Sequence, residues 1–131
     1  MRTLAVLLVC TLAAPLLAAP RKGRSTHPDA IHAEIHLNTE FEDADQAKEV
    51  ADFLETQVEV ASWIVAVNGD DLKKADREIE NENGNVKITY DLEKKGGCQN
   101  AHNIGGLGIS YMSQIDEIDV ECEGETKQYK H

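Results

Sequence analysis

Residues 77–92, REIENENGNVKITYDL, contain the clearest structural signal in the chain. Asn83-Gly84 is the pair preferred in two-residue type I′ turns, and alternating apolar residues lie on both sides of it. Pairing outward from this turn places Glu80 opposite Lys87, where the two charges can form an ion pair. The apolar side chains collect on the other face in the same register. The sequence therefore predicts a β-hairpin with a defined register.

The segment before the hairpin predicts a strand followed by a long helix. Apolar and polar residues alternate over residues 30–38, which is typical of a half-buried strand. Asp43 then fits a helix N-cap, and Gln46 would complete a capping box. Apolar residues recur at spacings of three and four, so we expect one helix over residues 44–67. Residues 58–67 also contain five β-branched side chains, and a strand remains the alternative there.

The segment after the hairpin predicts a glycine-rich surface loop over residues 94–107, anchored by Cys98. An extended chain is expected from about Gly108 to Glu123, and residues 124–131 are expected to be a frayed polar tail. The glycines of the predicted loop are Gly96, Gly97, Gly105 and Gly106.

These elements predict a single α+β domain over residues 30–123. One long helix would pack on a curled, roll-like antiparallel sheet of about four strands, in the order β-α-β-β-β. No internal repeat divides this range, so we expect one hydrophobic core.

The N-terminal residues predict export from the cell. Residues 1–19 have a positive start, a long apolar run and small residues at the end, as in a secretory signal peptide. Residues 20–29 form a basic and polar leader. Within it Arg21 and Arg24 suit a processing protease that recognises basic residues, with cleavage after Arg24. A basic, unstructured tail is the alternative.

The charge of the chain argues against two classes of partner. Thirteen basic residues stand against 24 acidic residues, which gives a net charge of −11. A protein that begins at Ser25 would lose four basic residues and no acidic residue, leaving nine against 24, or −15. Nucleic acid and anionic membranes would repel such a protein. We expect an extracellular protein partner, with a cationic protein as one option.

Two cysteines, Cys98 and Cys122, remain once the predicted signal peptide is removed with Cys10. An oxidising compartment favours a disulfide between them. Closing this loop would stabilise the domain by about 3.5 kcal/mol in the chain-entropy model. The two cysteines are far apart in sequence, unlike a Cys-x-x-Cys redox pair, so the predicted role is structural.

Three potential metal ligands, His32, Glu34 and His36, share the outer face of the first predicted strand. Imidazole and carboxylate groups are ligands of the zinc type. On a straight strand the two histidine Cα atoms would lie roughly 13 Å apart, too far to bind one ion without a bend or a further ligand such as His102. We therefore expect no metal and no cofactor.

The last predicted strand carries a row of carboxylates on its outer side. Calcium binds about six to eight oxygen ligands that converge on one point. Carboxylates spaced about 7 Å apart along a straight strand do not converge, which favours a solvated acidic face. The row consists of Glu117, Asp119, Glu121 and Glu123.

The sequence carries no complete Gly-x-Ser-x-Gly turn, dinucleotide-binding glycine loop or His-Glu-x-x-His motif. Ser110 follows Gly108, but Met112 stands where a Gly-x-Ser-x-Gly turn requires its second glycine. The leading hypothesis is a secreted, non-enzymatic binding or effector domain that presents the glycine-rich segment and the tip at Asn83-Gly84. A small secreted hydrolase that uses Ser110 or His102 is a further hypothesis.

In element order, residues 30–123 resemble the cystatin-type roll, in which a long helix lies in a curled antiparallel sheet with a disulfide near the C-terminal strands. The resemblance implies that fold and, as an alternative function, inhibition of cysteine proteases. The family's Gln-x-Val-x-Gly motif would lie in the first hairpin, where this chain has residues 82–85, ENGN. The Pro-Trp pair of the second hairpin is missing. The single tryptophan, Trp63, is expected in the core.

Overall fold

The computed structural model describes residues 27–63 and 69–131. The predicted signal peptide, the processing residues Arg21 and Arg24, and the last part of the predicted helix all lie outside these ranges.

The described residues form five strands and three helices. The strands are β1 (Ala30–Glu40), β2 (Asp76–Glu82), β3 (Asn85–Glu93), β4 (Ile115–Cys122) and β5 (Glu125–Lys130). The helices are α1 (Ala44–Ser62), α2 (Asp70–Lys74) and α3 (Cys98–Tyr111).

All five strands belong to one open antiparallel sheet in the order β2-β3-β1-β4-β5. The central strand is therefore β1, and β2 and β5 form the edges. The predicted α+β class is confirmed, but the prediction of about four strands and one helix is wrong. Helices α2 and α3 also have no place in the predicted β-α-β-β-β order, so the resemblance to the cystatin-type roll is limited to a helix on an antiparallel sheet.

Helix α1 begins where the sequence predicts. The Asp43 side chain accepts a hydrogen bond from the backbone nitrogen of Gln46 at 2.7 Å. The helix is described as far as Ser62, so the strand alternative is wrong for residues 58–62. The predicted continuation of the helix lies outside the described residues.

The predicted hairpin forms with the predicted register from Arg77 to the turn. Both turn residues have positive φ angles, 53° at Asn83 and 93° at Gly84, as a type I′ turn requires. The predicted ion pair is wrong in its partner. Lys87 Nζ lies 2.7 Å from a Glu34 oxygen of the neighbouring strand β1, whereas Glu80 only faces Lys87 in the register.

The predicted glycine-rich loop is wrong, because most of it is helix α3. A Cβ atom at Gly105 would lie 3.1 Å from the Tyr129 ring, and one at Gly108 would lie 2.8 Å from Ile118 Cδ1. These two glycines let the helix approach the sheet more closely than larger residues would permit. That tertiary contact outweighs the low helix propensity of glycine.

The C-terminal residues form strand β5, so the predicted frayed tail is also wrong. Glu123 and Gly124, with φ angles of 54° and 79°, form a second two-residue turn between β4 and β5. Strand β4 begins at Ile115 and not near Gly108, because residues 108–111 complete helix α3 and residues 112–114 connect it to the strand. Tyr129 is the residue of β5 that packs against the core.

One face of the sheet packs on the helices and forms the core. Cys98 in the first turn of α3 is disulfide-bonded to Cys122 at the end of β4, with the Cα atoms 5.8 Å apart, in agreement with the predicted pairing. None of the helices within the described ranges is long and apolar enough to cross a membrane. The core residues include Ile35, Leu54, Ile88, Ile115 and Val120.

Candidate functional site

The other face of the sheet is covered by none of the three described helices. Apart from the irregular end of β1 beyond His36, strand alternation and register place ten carboxylates, two histidines and two lysines on it, and we call this set the acidic sheet face. Its charged members are Asp76, Glu78, Glu80 and Glu82 on β2, Lys87, Asp91 and Glu93 on β3, His32, Glu34 and His36 on β1, Glu117, Asp119 and Glu121 on β4, and Lys130 on β5.

One half of the acidic sheet face is organised around His32. Its Nδ1 atom lies 2.7 Å from Asp91 Oδ1, and its Nε2 atom lies 3.3 Å from Glu34 Oε2. Lys87 Nζ contacts the other Glu34 oxygen at 2.7 Å. Burial opposes ionisation of Glu34, but Lys87 and His32 outweigh it and lower the pKa of the Glu34 carboxyl.

The other half is organised around His36, which lies between three carboxylates. Its Nδ1 atom is 2.7 Å from Glu82 Oε1, and its Nε2 atom is 3.2 Å from Asp119 Oδ2 and 3.9 Å from Glu117 Oε2. Burial favours the neutral imidazole, but Glu82 and Asp119 outweigh it and raise the pKa of His36. His36 is thus held on both sides by negative groups.

Glu117 and Asp119 are close enough to influence each other's ionisation. Burial, followed by the neighbouring Glu117 carboxylate, raises the pKa of Asp119. The hydrogen bond from Asp119 and the ammonium of Lys130 lower the pKa of Glu117. Asp119 Oδ1 is buried and has no hydrogen-bond partner among the described residues. The negative groups are therefore crowded at this point of the face.

The predicted candidate ligands His32, Glu34 and His36 do not converge in the structure. His36 instead lies with Glu117 and Asp119, and one ligand atom from each of these three residues lies within 4.8 Å of the others. His36 and Glu117 are direct partners in the β1–β4 register. Sequence reasoning recognised the outward row on each strand but missed this set, because the pairing of β1 with β4 has no local signal.

The predicted interaction residues do not form one presented loop. Asn83, Gly84 and Gly96 are exposed, Gly97 and Gly105 are buried, and Gly106 is half-buried. The hairpin tip is fastened to the end of β1, because the backbone nitrogen of Phe41 donates to the carbonyl of Gly84 at 2.8 Å. Because most of the glycine-rich segment is part of helix α3, it does not form the flexible recognition loop that the sequence predicts.

A separate apolar patch lies on helix α1 and its C-cap. Trp63 is 86% exposed, so the prediction that it lies in the core is wrong. Phe53 and Val60, which are 63% and 61% exposed, are seven residues apart and share one side of the helix. A signal for this patch was present in the sequence, since both residues fall outside the stripe that buries Ala47, Ala51, Leu54 and Val58.

The residues of the hydrolase hypothesis lie along a groove between α3 and β5. The two ring nitrogens of His102 face Tyr129 Oη at 2.9 Å and Cys122 Sγ at 3.5 Å. Ser110 lies eight residues further along the helix, which corresponds to about 12 Å of helix axis. The two side chains are therefore not arranged as a nucleophile and its base.

Comparison with protein-family models, with curated proteins and with solved structures finds no significant match for this chain.

Proposed function

We propose that this protein is a secreted, non-enzymatic domain that binds a basic surface of another extracellular protein through the acidic sheet face. The observation that supports this most strongly is the concentration of charge on an uncovered sheet face. Ten carboxylates stand there against two lysines. A complementary basic surface would be attracted at long range and oriented on the face.

The crowding of negative groups supports a cationic partner in preference to a neutral one. Burial, followed by the neighbouring Glu117 carboxylate, raises the pKa of Asp119, so negative charge is disfavoured at this point of the face. Lysine or arginine side chains placed over the face would favour the negative charge there. Solubility alone does not require the charges to share one face, since scattered charges serve it equally well.

The edge strand β2 indicates how such a partner would bind. Its outward residues are all acidic, and charged side chains on an edge discourage the addition of a foreign strand. Contacts through side chains on the sheet face are therefore favoured over backbone pairing. The outward residues are Asp76, Glu78, Glu80 and Glu82.

The experiment compares two triple variants that remove the same number of negative charges. The face variant is Glu78→Gln, Glu80→Gln, Glu121→Gln. The control variant is Glu42→Gln, Asp45→Asn, Glu49→Gln, at exposed positions just before and within the start of α1. Each immobilised protein is used at micromolar concentration to capture partners from extracellular fluid, and the affinity of a recovered partner is then measured at low and high salt.

We expect the face variant to bind about tenfold more weakly, since three charge pairs with the partner at this surface would contribute together about 1.5 kcal/mol. The control variant should bind within about twofold of the wild type, and high salt should weaken the wild-type complex. Recovery of no partner would contradict the proposal. Equal losses in both variants, or a loss confined to a Trp63→Ser variant, would also contradict it, and the latter would assign binding to the α1 patch.

Secretion is tested by expressing the full chain in secreting cells and sequencing the N-terminus of the product. Protein in the medium that begins at residue 20 supports cleavage of the signal peptide alone. A start at residue 25 supports further processing after Arg24. Protein retained in the cytosol with its first residues intact would contradict secretion.

A further inference from the structure

We propose that His36, Glu117 and Asp119 form a binding site for one divalent metal ion of the zinc class. The site lies within the acidic sheet face but does not depend on the protein-binding proposal. It differs from the set of ligands that the first strand alone presents, because two of its three residues come from β4.

The separations of the ligand atoms suit a single small ion. Zinc binds nitrogen and carboxylate oxygen at about 2.0–2.2 Å, so neighbouring ligands in a tetrahedral site lie about 3.3–3.6 Å apart. His36 Nε2 lies 3.2 Å from Asp119 Oδ2 and 3.9 Å from Glu117 Oε2. Small side-chain rotations would bring all three atoms to one ion.

The imidazole of His36 is oriented as a metal-binding histidine commonly is. Its Nδ1 atom contacts Glu82 Oε1 at 2.7 Å, which favours the tautomer that carries the proton on Nδ1. The lone pair of Nε2 then points toward Asp119 and Glu117. Glu82 is thus a positioning residue, and it comes from β2, three strands away from β4 in the sheet order.

The Asp119 carboxylate has a second oxygen, besides the Oδ2 atom that faces His36, that lacks a hydrogen-bond donor among the described residues. Its Oδ1 atom is buried and receives no hydrogen bond from the described residues, and its neighbour Glu117 is a second carboxylate. An acceptor left without a donor is costly to bury, and a metal ion bound by the carboxylate would offset that cost.

The three proposed ligands also indicate which cation would bind and how it would reach the site from solvent. One imidazole and two carboxylates suit zinc-class ions, whereas calcium requires about six to eight oxygen ligands. The three side chains are 19–23% exposed, so an ion can reach them from solvent. Lys130, which contacts Glu117 Oε1 at 3.0 Å, is itself 57% exposed and can move aside.

The test is a calorimetric titration of the purified, EDTA-treated and dialysed protein with Zn²⁺, with parallel titrations using Ca²⁺ and Mg²⁺. The ligand variants are His36→Gln and Asp119→Asn, and the positioning variant is Glu82→Gln. His32→Gln is the matched control, because His32 lies on the same strand and face. His102→Gln controls for the other cluster of possible ligands, which also contains Cys98 and Cys122.

We expect one Zn²⁺ per chain and a rise in the melting temperature of the wild type with Zn²⁺. Each ligand variant, and Glu82→Gln, should bind Zn²⁺ at least about tenfold more weakly. Both control variants should bind within about twofold of the wild type. Metal-free circular dichroism melts identify any variant that is misfolded, and Glu117→Gln then replaces it.

Three outcomes would overturn the proposal. The first is no Zn²⁺ binding by the wild type at millimolar metal. The second is unchanged affinity in the folded His36→Gln variant, and the third is a loss that appears only in His102→Gln. Because no partner protein is present in these titrations, failure here leaves the protein-binding test unaffected, and the reverse also holds.

Discussion

Replacing Cys98 and Cys122 together with alanine should lower the free energy of unfolding by about 3.5 kcal/mol. The bond joins the first turn of α3 to the last residue of β4 across a sequence separation of 24. The loop-entropy relation for that separation gives the stated value. The 5.8 Å between the Cα atoms lies within the usual range for disulfides, so the backbone need not move to form the bond.

Alanine is the appropriate replacement because Cys122 is buried in the core. A serine hydroxyl there would add the cost of an unsatisfied polar group and obscure the effect of the cross-link. A stability loss of 3.5 kcal/mol is a large share of the roughly 5–15 kcal/mol that stabilises a small domain. The variant should therefore fold, but with a clearly lower midpoint.

The measurement is equilibrium urea unfolding followed by circular dichroism. The variant should show a lower midpoint and a larger dependence of the unfolding free energy on urea, because its unfolded chain is less compact. Wild-type protein in a thiol reductant should show the same loss, whereas the reductant should leave the variant unchanged. A loss below about 1 kcal/mol, with the urea dependence unchanged, would refute the reasoning, since the cross-link would then not restrict the unfolded chain.

Two further predictions concern helix α3 and the core tyrosine. Gly105→Val should destabilise the protein by about 2 kcal/mol in the same urea assay, because even its Cβ atom would lie 3.1 Å from the Tyr129 ring. Gly106→Ala should be neutral or stabilising, because its Cβ atom would lie 3.8 Å from the nearest Tyr129 atom. Burial, and secondly the neighbouring Glu55, raise the pKa of Tyr90 far above its ordinary value of 10.0. Tyr90 therefore ionises at a lower pH in the unfolded chain than in the folded protein, and the free energy of unfolding should fall as the pH rises above about 10. Tyr90→Phe should reduce that fall, and equal alkaline profiles for variant and wild type would contradict the assignment.

The parts of the fold that local patterns specify could be predicted from the sequence. The hairpin needed only Asn83-Gly84 and an alternation of period two, and its register formed as predicted. The start of α1 needed only the cap at Asp43 and apolar spacing. In both cases residues close together in the sequence determine the local structure, so no knowledge of the rest of the chain was required.

The parts that failed depend on distant contacts. Glycines lower helix propensity, so Gly105 and Gly106 favoured a loop, whereas in the structure Gly105 lets the helix pack closely against Tyr129. Strand β5 has little apolar alternation, and its pairing with β4 and the contact of Tyr129 with the core hold it in place. Neither contact can be recognised within a short window of sequence.

The candidate site shows the same division between local and distant information. The outward direction of His36 on β1 and of Glu117 and Asp119 on β4 followed from alternation within each strand. Their convergence required β1 to lie between β3 and β4, and this strand order has no local signal. Residues 81 positions apart thereby become direct partners across two strands.

The acidic sheet face works against the stability of the domain that displays it. Like charges on neighbouring strands repel, and the face has two lysines with which to offset ten carboxylates. The covered face must supply the compensating free energy through its apolar core and the Cys98–Cys122 bond. A small domain has little stability to spare, so an arrangement of this kind is best explained by binding of cations to the face. The proposed basic protein surface and the proposed zinc-class ion at His36 would both meet that requirement, and Glu117 and Asp119 belong to both proposed sites.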